Sequence, residues 1–142
     1  MSKGKAVERG LKLRRKVLGD EWVDRAIANT TPFNADFQDL ITRFAWDEIW
    51  TRPGIAREVR RMIVIAQMVA LGRWEEFSLH VKAALQSGDL SPDDVKEILL
   101  QSTIYCGVPA ANHAFKEARA VVEALGRPKA KPTAKAKAKK SK

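Results

Sequence analysis

Apolar side chains recur along this chain at intervals of three and four residues, and no clear alternation of the kind a strand requires appears. That period is the mark of amphipathic helices. Ala6–Leu18 is a basic amphipathic stretch closed by Gly19, and Asp20–Ile27 a short helix with Asp20 available as its N-cap. A long helix is expected over Phe33–Trp50, with Thr31-Pro32 as cap and first turn, and Thr51-Arg52-Pro53-Gly54 breaks the chain after it. Ile55–Leu71 is almost wholly apolar after its first turn, which predicts the central buried helix. Gly72 separates it from a helix over Arg73–Gln86 that ends at Gly88. Ser91-Pro92-Asp93-Asp94 supplies a capping serine, proline at the first helical position and acids in the first turn, so a helix starts there and runs to about Tyr105. Pro109 opens the last helix, which closes at Gly126. The expected fold is all-α, one domain of six or seven helices over residues 1–126.

The 142 residues carry a formal net charge of +9, which suggests a nucleic-acid partner until the charge is located. Eight basic residues and no acid fall within 127–142, RPKAKPTAKAKAKKSK, whereas residues 1–126 hold 18 basic and 17 acidic side chains. The body is nearly neutral and the charge belongs to a tail. With no large apolar side chain, residues 127–142 cannot offset their ordering entropy and read as a disordered Lys/Ala/Pro-rich basic tail. Such a tail binds polyanions weakly at most, so no specific nucleic-acid partner is expected. The longest apolar run, Met62–Leu71, is interrupted by Gln67 and too short to span a bilayer. The basic start MSKGKAVERG lacks the apolar region of a secretory signal, and the single Cys106 excludes an intrachain disulfide framework or a CxxC motif. A cytoplasmic protein without a membrane partner is the expectation.

Helical spacing then shows which polar residues sit on apolar faces, since each residue turns by about 100°. Phe37, Leu40, Ile41 and Phe44 form a stripe, and Glu48 falls in its middle. A carboxylate on a buried face marks a candidate site; alternatively the helix ends there and Glu48 reaches solvent. Spacing alone does not choose. In the next-but-one helix, Trp74, Phe77, Val81, Ala84 and Leu85 form the apolar face, and Arg73, Glu76 and His80 line its border at i, i+3 and i+7. Histidine both donates and accepts a proton near neutral pH, yet the same spacing suits a solvated stripe with an i,i+3 ion pair. His113 falls opposite the apolar stripe of the last helix and is expected to be exposed. Cys106 extends the face of Val95, Leu99 and Ser102 and reads as core rather than nucleophile. Arg57, Arg60 and Arg61, near Arg52, suit an anionic substrate or a subunit interface. No glycine-rich phosphate loop, HExxH, nucleophile elbow or metal-ligand spacing is present.

Three segments go further: ADFQDLITRFAWDEIWTRPG (Ala35–Gly54), LGRWEEFSLHVKAAL (Leu71–Leu85) and IYCGVPAANHAF (Ile104–Phe115). In order and spacing they resemble the carboxymuconolactone decarboxylase family over about residues 7–125, within a superfamily that includes alkyl hydroperoxidase D-like proteins. The resemblance implies an all-α homo-oligomer, often a trimer or hexamer. The hydroperoxidase branch resembles a Glu-x11-Cys-x2-Cys-x3-His pattern. Laid over this chain with its histidine on His80, its cysteines fall at Arg73 and Glu76 and its glutamate at Arg61. Thiol-based peroxide chemistry needs both sulfurs, and both are gone.

What the resemblance implies instead is decarboxylation of a small dicarboxylate lactone, 4-carboxymuconolactone, to the β-ketoadipate enol-lactone in protocatechuate catabolism. Electrons left by carbon dioxide can run through the ring double bond to the lactone carbonyl, so no cofactor and no metal is expected. In that chemistry Arg60, with Arg73 and Arg43 behind it, would hold the second carboxylate. Trp46, Trp50 and Trp74 would wall the departing one from water. His80 would be the acid or the donor to the lactone oxygen, with Glu48 as proton relay or final donor, or the two exchanged. Glu76 shares the stripe of His80, and Tyr105 offers a hydroxyl. The alternatives are a related enzyme acting on another small substrate and a non-enzymatic helical module with a polyanion-binding tail.

Overall fold

A computed structural model describes residues 2–126; the tail expected over 127–142 lies outside the described residues. Among them every regular element is helical, as the 3.6-residue period requires: α1 (Lys3–Leu18), α2 (Asp20–Ala28), α3 (Ala35–Ile41), α4 (Arg57–Leu71), α5 (Trp74–Ser87), α6 (Pro92–Cys106) and α7 (Val108–Gly126). A π-helical segment, Thr42–Ile49, continues α3 without a break. The start of α6 is the capping box its sequence announces: the Asp94 amide donates to Ser91 Oγ at 3.1 Å and the Ser91 amide to Asp94 Oδ2 at 2.8 Å. Gly72 closes α4 in a left-handed conformation (φ 65°), and the Arg73 amide reaches back to the Met68 carbonyl at 3.0 Å. This Schellman arrangement turns the chain directly into α5.

Helix starts differ from expectation at several points: α1 begins at Lys3 rather than Ala6 and α4 at Arg57 rather than Ile55, and two further cases have a visible local cause. Asp20 is the first residue of α2 and Gly19 holds the cap position. The Thr31 amide donates to Asn34 Oδ1 at 2.7 Å, and that local turn delays the helix from Phe33 to Ala35.

The helices pack around two apolar clusters. The larger joins Ile65 and Val69 of α4, Phe77, Val81 and Ala84 of α5, and Val95, Leu99, Ala114 and Ala118 of α6 and α7. The smaller joins Val17 and Leu18 of α1, Val23 of α2 and Trp46 of the π-helical segment. The apolar α4 is central on one side only. Arg61, Ile65 and Val69 are buried, while Val59, Ile63 and Leu71 stay exposed. A charged side chain is thus as fully buried as the deepest apolar residue of this helix, Ile65.

Arg61 is fully buried, and a buried charge persists only where partners replace water. Its Nε donates to Asp89 at 2.7 Å, its Nη1 to the Val17 carbonyl at 2.8 Å and its Nη2 to Ser87 Oγ at 3.2 Å. Arg57 grips the same carboxylate through two bonds of 2.8 and 2.9 Å. The end of α1, the start of α4 and the α5–α6 loop are therefore fastened to one point. Across the smaller cluster, α1 lies against the π-helical segment. Arg9 holds Asp47 with bonds of 2.8 and 2.6 Å, and Gly10 lets the helices approach so closely that a Cβ there would collide with the Thr42 carbonyl.

Two predictions follow from these contacts. Gly10→Ala should cost about 3 kcal/mol, because the clash is with backbone that cannot rotate away, and urea unfolding will measure it. The two arginines hold the Asp89 carboxyl down at about 2, below its ordinary 3.8. A depressed acid contributes stability that is complete above pH about 4 and is lost as pH falls through about 2, here about 2 kcal/mol. Asp89→Asn should be less stable than wild type at pH 7 by about 3–5 kcal/mol, with the gap narrowing toward pH 2 in paired urea titrations.

Candidate active site

The π-helical segment decides where the candidate residues of the long helix point. Its hydrogen bonds run i→i+5, as from the Trp50 amide to the Ala45 carbonyl at 3.0 Å, so each turn holds more residues than an α-turn. From Thr42 onward the 100° wheel no longer applies. The buried residues of the segment are Thr42, Trp46 and Asp47, whereas Phe37, Leu40 and Phe44 are more than half exposed. Glu48 is exposed as well, so of the two readings of this carboxylate the solvent-reaching one holds, although the helix runs on to Ile49. Glu48 lines a groove of about 890 Å³ with Arg43, Arg9, Asp47, Phe44 and Thr51. Arg43 is tied there to Asp39 at 2.9 Å.

The same segment turns tryptophans inward. Trp46 is buried and stacks on Trp50, their ring centroids 5.3 Å apart. Trp50 in turn walls a small cavity of about 240 Å³ with Arg60, Ile49, Ile55, Ile63 and Val64. The Arg60 Nη2 donates to the Arg52 carbonyl at 3.1 Å, but its Nε is buried without a partner. A guanidinium with unused bonding capacity among apolar walls suits an anion attached to an apolar body. The end of the π-helical segment contributes to both, Glu48 to the groove and Ile49 to the cavity.

His80 is brought to the junction of the two clusters by its neighbours in α5: Leu79 packs against the Trp46 cluster and Val81 belongs to the larger core. Its Nδ1 is buried with no hydrogen-bond partner. Burial first, and the nearby Arg61 charge second, bring the imidazole down to about 4 against the opposing charge of Glu76. His80 is therefore neutral at neutral pH, fitted to donate or accept a hydrogen bond rather than to serve as an imidazolium acid. The stripe foreseen on α5 is only partly a unit. Glu76 is near enough to act on His80 through its charge, but Glu76 and Arg73 are both exposed, with Arg73 at the cap position before α5. No hydrogen bond joins Glu48 to His80 among the described residues.

Other candidates lie elsewhere. Tyr105 is 82% exposed near the end of α6 and lines none of the cavities described here. Trp74 stacks in parallel on His113, 4.1 Å between centroids, which removes it from the Trp46–Trp50 wall. His113 is exposed, as its place opposite the α7 stripe foretold, and meets Glu117 at 3.4 Å. Cys106 packs against the larger cluster as expected of a core thiol. Arg9 and Asp47, which shape the groove, carry no local signal in the sequence: they are 38 residues apart and announce themselves only once α1 meets the π-helical segment. Among the described residues no group of three His, Cys, Asp or Glu is placed to hold a metal ion, and no helix is long and apolar enough to cross a membrane.

Comparison with known proteins covers the same elements. The family model described as carboxymuconolactone decarboxylase matches residues 35–120, from the start of α3 through most of α7. A 4-carboxymuconolactone decarboxylase of Acinetobacter baylyi is 42% identical over 119 residues, covering 84% of this chain and 88% of that protein. Nitrosuccinic acid decarboxylase npaB of Metarhizium robertsii is 36% identical over 108 residues, 76% of this chain and 75% of that protein. With the π-helical segment, the Arg60 cavity and His80 all inside the matched region, the chain belongs to the carboxymuconolactone decarboxylase family.

Proposed function

We propose that this protein is a cofactor-independent carboxy-lyase that converts 4-carboxymuconolactone to the β-ketoadipate enol-lactone, in the cytoplasm, as a step in protocatechuate breakdown. The 42% match to the Acinetobacter enzyme over 84% of the chain carries this reading. The chemistry is self-contained: the bond to the departing carboxylate breaks, its electron pair passes through the ring double bond onto the lactone carbonyl, and a proton then joins the ring carbon. The protein must hold the other carboxylate, keep water from the leaving one, stabilise the dienolate and deliver one proton.

The site residues divide these tasks. Arg60, with its buried unpartnered Nε, takes the retained carboxylate, and the Trp46–Trp50 stack shields the departing one. His80, neutral and largely buried, donates to the developing oxyanion, a contribution worth about 3 kcal/mol in such sites. Glu48, on the solvent-fed groove, exchanges its proton with water and passes it to the ring carbon. The absence of a bond between Glu48 and His80 accords with two groups serving two different substrate atoms. Arg43 shares the groove of Glu48 and Glu76 acts on His80 through its charge, whereas Arg73 and Tyr105 are exposed and take no part in this reading. The second match, a decarboxylase of nitrosuccinic acid, supports the reaction class more widely than the lactone.

The site is completed, in this reading, within a homo-oligomer, a trimer or hexamer. Phe33, Phe37, Leu40 and Phe44 are between 51% and 100% exposed, and Leu40 and Phe44 line the Glu48 groove. An uncovered stripe of that size is the mark of an association surface, and covering it would partly desolvate Glu48.

Supplying 4-carboxymuconolactone should release carbon dioxide with nitrosuccinic acid turned over poorly; no turnover would reject the lactone reading, and activity on nitrosuccinic acid alone would select the related-enzyme alternative. His80→Ala and Glu48→Gln should each lower kcat by about two orders of magnitude or more, and Arg60→Ala should chiefly raise KM. Because His80 acts unprotonated, the residual kcat of Glu48→Gln, free of the carboxyl's own titration, should hold from pH 8 down to about 5 and fall as pH nears about 4; a fall of that variant with rising pH near 6.5 would restore the imidazolium role. Phe37→Asp with Phe44→Asp should dissociate the oligomer in sedimentation runs, and an unchanged mass would move the interface elsewhere.

A further inference from the structure

Between α6 and α7, away from the π-helical segment, runs an open apolar groove of about 490 Å³, within the ~300–1,000 Å³ typical of small-molecule sites. Its floor is Val95, Leu99, Phe115, Ala118 and Val122. Val95, Leu99 and Ala118 belong to the larger core, so the floor is rigid and cannot close by side-chain collapse, while Phe115 is left 37% exposed above it. The rim carries Lys96, Lys116 and Arg119, and no carboxylate lines the groove. Lys96 meets Asp93 at 2.9 Å and Arg119 meets Glu123 at 3.4 Å, both exposed pairs that a ligand can exchange with little loss, and Lys116 has no ion pair among the described residues.

We propose that this groove binds an amphiphilic monocarboxylate, a medium-chain acyl acid, with its chain along the apolar floor and its carboxylate among Lys96, Lys116 and Arg119. The stretch from Pro92 to Leu99 is eight residues of helix, roughly 10 Å of trough from first to last, which suits an extended chain better than a compact ring. Two-fold pairing with a second copy would set three cations against three cations, which disfavours that occupant. The exposed apolar corner of this helix pair, Ile104, Tyr105 and Val108, also lies at the opposite end. The ligand differs in kind from the dianionic lactone, whose anion holder, Arg60, lines another cavity.

Calorimetric titration of the full-length protein with octanoate should show one saturable site per chain with Kd below about 1 mM, weakening with added salt. Octan-1-ol should bind at least about tenfold more weakly, and so should benzoate. Lys116→Glu with Arg119→Glu, both exposed on α7, should lower octanoate affinity at least about tenfold while leaving helicity and decarboxylation unchanged. Equal binding of octanol, tighter binding of benzoate, no saturation below about 10 mM, or an indifferent double variant would each overturn the assignment. A changed oligomeric mass in the double variant would give the groove to a second copy and overturn it as well.

Discussion

The rest of the molecule depends on one buried guanidinium. Arg61 has no contact with water, so its charge is tolerable only because Asp89, Ser87 and two carbonyls at the end of α1 replace the lost hydration. Those partners come from three separate parts of the chain, and their convergence fixes how the α1 cluster sits on the α4–α7 body. The same charge acts on His80. Burial is the main reason the imidazole stays unprotonated, and the Arg61 cation adds to it, so the residue that fastens the two clusters also bears on the protonation state of the candidate catalytic group. Fold and chemistry share a single electrostatic constraint.

Around that constraint the site is organised by contrast. The groove holding Glu48 is wide, polar and open to solvent, and the cavity holding Arg60 is small and mostly apolar. Of the stacked tryptophans, Trp50 walls the smaller cavity. This division would suit the proposed separation of carbon dioxide from a dianion. In that reading the anion that must stay would meet a fixed cation, charge would spread in a poorly solvated region, and the proton would enter from the wet side.

Much of this was legible in the sequence wherever a local rule operates. The Ser91–Asp94 capping box, the turn at Gly72 and the apolar face of Phe77, Val81 and Ala84 appear as the spacing predicts, because each depends on residues within one or two turns. His80 and the arginine cluster were legible as candidates for the same reason. The orientation of Glu48 was not, since the wheel assumes α-helical pitch and the segment around it is π-helical. The expectation that Ile55–Leu71 would be the central buried helix counted its apolar residues but could not see that Arg61 faces inward while Val59 and Ile63 face out. The separate duties of Arg57, Arg60 and Arg61, three guanidiniums within five residues, are set by Asp89, by the α1 carbonyls and by the Trp50 cavity. All of those arrive from distant sequence.

The π-helical segment has a consequence for how such a chain can change. Loss of one residue between Thr42 and Ile49 would let the backbone relax to ordinary α-helical hydrogen bonding, and locally the change would be mild. Every side chain beyond the deletion, however, would swing by about 100° about the helix axis. Trp50 would leave the cavity wall and Glu48 the groove, although no functional residue had been replaced. Along this stretch the number of residues is as much a part of the site as their identities.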